Sequence, residues 1–388
     1  MPLKFLPSNW RYTLVMCSCF IVILMILKSV FFVVDYRDLT LQQEERFKNT
    51  PISYAEYDKE KLTHRMVKFD ERNNLISNKE ASVAYSVIND YLSKVKYTCR
   101  TEFKTKEFLQ CANKILGESF YYKSAGSVGE GYAHHHSDCD SNAYLLFDAA
   151  KIFGKKIEIV YAPRHAFISF VNEKNGLRFY WETTTNGNRG ESADFTESLY
   201  RKTFNNFYYS PVEENTAEKN YPVLLLSHVD EKRQRIIFNS LDKSLLDNPF
   251  VLDYYYTQLE KENSLTQENI NTLKHYLQKD ISAIDRRLIL SRYFLSKDDK
   301  DSVRYFMNQI DDKECKLSCM EVRKQISKED YIYYNIMEEF SKLNVNVSLF
   351  YFKSFINDIM QWILMILVFF LGNIFLLTFN KKDDSLTQ

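Results

Sequence analysis

Three side chains of this sequence have the types and order that nucleophilic catalysis needs. Cys139 stands in Asp138-Cys139-Asp140-Ser141-Asn142, polar residues followed by the apolar run Ala143 to Ala150 and then Gly154. That pattern predicts a helix over 138–153 with the thiol in its first turn and Gly154 at its C-cap. A helix N-terminus carries about half a positive charge, which favours thiolate over thiol. Twenty-six residues on, His165 opens His165-Ala166-Phe167-Ile168-Ser169-Phe170, and Glu182 follows in Phe179-Tyr180-Trp181-Glu182-Thr183-Thr184. A cysteine on a helix, with a histidine and an acid on neighbouring strands, is the layout of a Cys-His-acid site.

The chemistry assigns each a task. A free thiol, with a pKa of about 8.5, is mostly protonated at neutral pH. A histidine in reach accepts its proton, and an acid on the other ring nitrogen fixes the tautomer and steadies the imidazolium. Glu182 is the expected orienter; Asp138 and Asp140 flank the thiol and would oppose its ionisation. The Cys139 N–H, at the helix start, is an expected oxyanion donor. A second donor is expected from the preceding loop, where Tyr132, His134, His135 and His136 are candidates; Tyr132, His136 and Asp138 are carried forward as the oxyanion or substrate residues. His134-His135-His136 before Cys139 also admits a metal-binding module, since zinc takes such ligands. Adjacent histidines point in different directions, however, and no second ligand pair has zinc-type spacing, so no metal or other cofactor is assigned.

The elements that must position these groups follow from periodicity. Helical spacing is expected over 79–96 and 106–116, a loop over 126–136, and strands over 156–162, 165–171 and 177–184, with Asn172 to Gly176 as a hairpin turn. Alternation puts His165, Phe167 and Ser169 on one face and Tyr180 and Glu182 on one face of the returning strand. Residues 191–226 read as aromatic-rich and irregular. Short helices are expected at 228–243, 249–262, 267–279, 283–296, 298–310 and 328–343.

Bulk properties narrow the class. The 388 residues carry 51 basic and 51 acidic side chains, which gives no pointer to nucleic acid. The apolar stretches 12–34 and 359–379 each approach the roughly 20 residues that cross a bilayer as a helix. The first exceeds an ordinary signal-peptide core of about 7–15 residues and lacks a small-x-small cleavage pattern. Lys4 and Arg11 before the first stretch, with Lys381 and Lys382 after the second, favour cytoplasmic termini. The expected domains are a cytoplasmic 1–11, a transmembrane 12–34, a spacer 35–78, the site-bearing domain 79–226, a helical domain 227–350, a transmembrane 359–379 and a cytoplasmic 380–388. Outside the first apolar stretch lie Cys99, Cys111, Cys139, Cys315 and Cys319. In an oxidising space Cys99 could pair with Cys111 and Cys315 with Cys319, leaving Cys139 odd; in a reducing one all five would be thiols. Asn346-Val347-Ser348 is a glycosylation sequon, a short pattern of little weight.

These residues resemble the transglutaminase-like superfamily in Asp138-Cys139-Asp140-Ser141-Asn142-Ala143-Tyr144-Leu145-Leu146, in Gly154, in Ala162-Pro163-Arg164-His165-Ala166-Phe167-Ile168 and in Tyr180-Trp181-Glu182-Thr183-Thr184. The likeness covers about 80–230 and is nearest to bacterial members with tetratricopeptide-like helices after the core, where Tyr221 to Ser227 is similar to their apolar junction. It implies a thioester-forming Cys139 with His165 as base. The superfamily usually has Asp as third member, and Glu182 here is one methylene longer. The resemblance implies an α+β fold: a papain- or transglutaminase-like core of a helix on an antiparallel sheet, then a helical repeat-like domain, between two transmembrane helices. The expected function is acyl transfer on peptide or side-chain amides (hydrolysis, deamidation or cross-linking), with a protein or peptide substrate and a further protein partner on the helical domain. The expected place is a bacterial inner membrane, the large domain periplasmic or extracellular. The alternative is a non-catalytic membrane-bound assembly or binding protein with a degenerate core.

Overall fold

The computed structural model describes residues 44–342 apart from 164, 198–199, 201–202, 281–282 and 313, together with 361. The chain divides into two compact units, one of them Gln43–Tyr293; the described part of the other begins at Phe294.

In the first unit three helices precede the site: α1 (Leu62–Arg72), α2 (Asn78–Thr98) and α3 (Thr105–Ser119). Each is amphipathic and buries one stripe: Leu62, Met66 and Val67 on α1, Ile88, Leu92 and Val95 on α2, Phe108, Leu109 and Ala112 on α3. Ser77 and Glu80 form a capping box at the start of α2. Strand β1 (Tyr121–Tyr122), helix α4 (Val128–Ala133) and strand β2 (His136–Ser137) lead to α5 (Cys139–Ile152). Gly154, at φ +63°, follows α5 in the left-handed conformation that glycine takes without strain. Then come β3 (Ile157–Ala162), β4 (His165–Val171), β5 (Arg178–Glu182), α6 (Thr185–Asn188), β6 (Glu191–Ser192), β7 (Pro211–Val212) and α7 (Glu214–Leu225). The sheet is antiparallel in the order β6-β5-β4-β3-β7, and α5 packs on β3 and β4. The contact face of α5 is mostly small or aliphatic (Ala143, Leu146, Ala149, Ala150), which lets helix and sheet approach closely.

Residues 35–78 were expected to be a spacer with some helix; α1 is such a helix, and it lies in the core. The start of a helix leaves N–H groups without partners, and a residue on another helix supplies them here. The Asp148 carboxylate of α5 accepts from the backbone N–H of Leu62 and of Thr63, both at 2.9 Å, and from the Thr63 hydroxyl at 2.5 Å. The expected stop of the second helix at Gly117 also differs: α3 runs on to Ser119. A Cβ at Gly117 would stand 2.7 Å from the Gly187 carbonyl, so this glycine serves close approach of two backbones.

Helices α8 (Glu231–Ser240), α9 (Pro249–Lys261), α10 (Gln267–Lys279) and α11 (Ile284–Leu295) complete the helical series to the unit boundary, which falls inside α11. Arg286, 1% exposed, ties them: its Nε donates to Asp253 at 2.6 Å and its Nη1 lies 3.6 Å from Asp280. The Phe204 N–H donates to the Lys279 carbonyl at 2.7 Å, so α10 is held to the segment after the sheet. The second unit contains α12 (Lys300–Met307), α13 (Leu317–Arg323) and α14 (Lys328–Lys342), with the Cys315–Cys319 disulfide beside α13. Cys99 and Cys111 form the other disulfide, between the end of α2 and α3.

The expected fold class is corrected. Among the described residues the fold is mixed helix and sheet, 57% helix in 14 helices with small sheets, so helices dominate it far more than the expected sheet-based core implied. Among the described residues no helix is long and apolar enough to cross a membrane, and the two flanking transmembrane helices are no part of the described fold. Even the longest, α2 with 21 residues, carries Lys79, Glu80, Asp90, Lys94 and Lys96 on its outer side. The stretches 12–34 and 359–379 lie outside the described residues, Gln361 excepted.

Candidate active site

Register places the acid. Strands β4 and β5 pair Ile168 with Trp181 and Ser169 with Tyr180; one step further sets position 182 beside Phe167. His165 is two residues along on the same face, a diagonal neighbour, which cross-strand geometry puts about 7–8 Å away at the Cα atoms. The longer glutamate side chain spans that diagonal: Glu182 Oε2 lies 2.5 Å from His165 Nε2, and both side chains are buried. The Tyr200 hydroxyl donates to the same oxygen at 2.9 Å. Oε1 accepts from the Thr183 N–H at 2.9 Å, the Thr184 N–H at 3.0 Å and the Thr184 hydroxyl at 2.7 Å. Burial alone would push this carboxyl up; the imidazole and the Thr184 donors overcome it and hold Glu182 at about 2. An ionised Glu182 accepts, so Nε2 carries the proton and Nδ1 is the basic nitrogen.

The turn after Glu182 is fixed by three fully buried asparagines. Asn113 of α3 donates to the Thr183 carbonyl at 3.0 Å and the Asn188 carbonyl at 2.6 Å, and accepts from Trp181 Nε1 at 2.8 Å. Asn142, three residues beyond the thiol on α5, donates to Asn188 Oδ1 at 2.9 Å. The helix bearing Cys139 and the turn bearing the Glu182 donors are therefore tied together directly.

Cys139 is the first residue of α5, capped by Asp138, whose carboxylate accepts from the Ser141 hydroxyl at 2.8 Å and N–H at 3.3 Å. Its side chain is partly exposed, and it is the free cysteine among the described residues. Asp140 Oδ1 lies 3.7 Å from the sulfur. Burial, then Asp140 and Asp138, push the thiol well above its ordinary value, while the Ala166 N–H, donating from β4 beside His165, draws it down. Burial first, and the two flanking carboxylates after it, thus oppose the help that a helix start gives to a thiolate. Burial and Asp138 also raise Asp140, to about 7, against the pull of the His165 charge and the Cys139 contact.

The loop candidates separate. The Tyr132 hydroxyl is buried and donates to the Ser141 carbonyl at 2.7 Å, so it braces α5 and does not face a substrate. His136 Nδ1 engages the Lys123 carbonyl at 3.1 Å, and Asp138 is a helix cap. His135 stacks on Phe47 at 4.9 Å, while His134 points to Glu80 at 4.0 Å. No group of three or more His, Cys, Asp or Glu side chains placed for a metal ion occurs among the described residues.

Sequence reasoning missed Tyr200, Ala166, Thr183, Thr184 and the three asparagines. Glu182-Thr183-Thr184 held a readable signal, since a carboxylate followed by backbone and hydroxyl donors closes its own turn. Tyr200 held none, being one of many tyrosines in an irregular segment. Among known proteins, no family model matches this chain and no curated protein does.

Proposed function

We propose that this chain is a membrane-associated thiol enzyme of the transglutaminase-like superfamily that transfers acyl groups from peptide or side-chain amides. The observation that carries it is the buried His165–Glu182 pair, 2.5 Å apart across β4 and β5, with His165 next to Ala166, whose N–H reaches the Cys139 sulfur. Cys139 Sγ attacks the amide carbonyl as its proton passes to His165 Nδ1. The Cys139 N–H at the start of α5 would donate to the developing oxyanion. Collapse breaks the C–N bond, the leaving amine takes the proton from His165, and a thioester remains. Water or an amine then attacks the thioester, losing its proton to His165, and Cys139 departs as the thiol. Two disulfides beside one free thiol favour an oxidising space, the periplasm or cell exterior of a bacterium.

The test is the rate of Cys139 alkylation by iodoacetamide, read by peptide mass spectrometry across pH. General-base assistance of the usual size predicts a drop of about 10²-fold or more in His165→Ala. A rate unchanged by that substitution removes the enzymatic reading. The elevated thiol favours one competitor, a non-catalytic assembly factor, and a Cys139→Ser variant with full cellular function would select it.

A further inference from the structure

Opposite the nucleophile, three loops meet in a pole of unusual composition. The Cys99–Cys111 disulfide pins the α2–α3 connection, whose Phe103 is 88% exposed and whose neighbour Tyr97 is 74% exposed. The β4–β5 turn joins it: the Thr105 N–H donates to Glu173 at 3.0 Å, which brings Leu177, 60% exposed, and Val171, 47% exposed, to the same end. The turn after α5 is the third, with Lys155 Nζ donating to the Phe103 carbonyl at 2.6 Å. Among these side chains stand Arg100, Lys106 and Lys174, none in an ion pair among the described residues, while Lys155 is engaged by the Phe103 carbonyl and lies 5.6 Å from the Phe108 ring; Arg100 lies 5.4 Å from the Tyr97 ring. Of the local acids, Glu107 and Glu173 are engaged by Lys104 and Thr105, and Glu102 precedes Phe103 in the same loop, so cations outnumber acids here without excluding them. Exposed large apolar groups ringed by cations, on loops rather than in a groove, suit an interface whose outer layer is anionic and whose next layer is apolar.

We propose that this pole docks on an anionic lipid surface, Phe103 and Leu177 entering the headgroup layer and the cations meeting lipid phosphates. The proposal rests on the membrane location proposed above and not on the thiol chemistry; the apolar stretches 12–34 and 359–379 of the same chain make a bilayer its occupant of choice. It also sets an orientation. Helix α5 starts at Cys139 and ends at the pole, and its 14 residues at 1.5 Å each span about 21 Å. The thiol is then held about one helix length from the lipid, turned to a water-borne substrate.

The test is amide hydrogen exchange of the full chain with phosphatidylcholine vesicles, with and without phosphatidylglycerol, after flotation. Several-fold slower exchange in segments 97–106 and 171–178 with the anionic vesicles alone is expected. It should vanish in the Phe103→Ser/Leu177→Ser double variant, whose sites are surface-exposed. Equal exchange on both compositions, or protection surviving in the double variant, overturns the proposal. Flotation with neither vesicle overturns the membrane location as well; flotation with both and no protection of these segments overturns the docking alone.

Discussion

Glu182 is where a sequence departure acquires a geometric reason. The acid usual in the superfamily that this sequence resembles is shorter, and position 182 pairs beside Phe167, not His165. Glu182→Asp should therefore lose contact with Nε2 and slow Cys139 alkylation about as much as Glu182→Gln, by ~10-fold or more; a fully active aspartate variant would refute the diagonal-reach argument. The same carboxyl ties stability to acid. Its pKa falls from 4.5 unfolded to about 2 folded, so the folded state binds fewer protons between those values. Its contribution is complete above about 4.5 and is lost as pH falls through about 2, a difference of ~3 kcal/mol at most. Chemical denaturation from pH 5 to pH 2 should show this loss shrink in Glu182→Gln. Asp140 works in the opposite sense on the thiol: Asp140→Asn removes a carboxylate 3.7 Å from the sulfur and should shift the alkylation profile to lower pH. Cys139, His165 and Glu182 were legible because reactive types stood at element boundaries. The second oxygen contact from Tyr200 was not, since nothing in local spacing tells which tyrosine returns to a distant strand.

At the scale of elements, the predicted helix and strands around the site match α5, β3, β4 and β5 to within a residue or two, because capping residues, glycine and alternation are local signals. The role of α1 was hidden because its cap comes from Asp148, 86 residues from Leu62. Asp148→Ala leaves two buried N–H groups and the Thr63 hydroxyl without an acceptor and should cost about 2–3 kcal/mol, read as a lower urea midpoint. The β4–β5 turn is a second test. Side chains alternate with period two, so one residue inserted between Asn172 and Gly176 that shifts the register turns Glu182 to the opposite face. Far-ultraviolet circular dichroism should change little while the His165-dependence of alkylation disappears.

For the whole molecule, the balanced charge gave no pointer to nucleic acid, and the expected division between a site-bearing and a helical domain was set at 226/227. The structure keeps residues up to Tyr293 in the first unit, where buried ties such as Arg286 to Asp253 join helices that propensity alone does not connect. The Cys99–Cys111 crosslink closes a loop across 12 positions and, in the chain-entropy account, stabilises by about 3 kcal/mol. Reduction should lower the thermal midpoint and add mass at those cysteines, with Cys139 modifiable before and after. With the other described cysteines locked in bridges, Cys139 has no companion sulfur in the described chain. A sulfenic acid formed there finds no resolving thiol among the described residues, and further oxidation to sulfinic acid is irreversible without a dedicated repair enzyme. Under an oxidant, the lifetime of the thiol would then turn on whether a small external thiol arrives sooner than a second oxidant molecule.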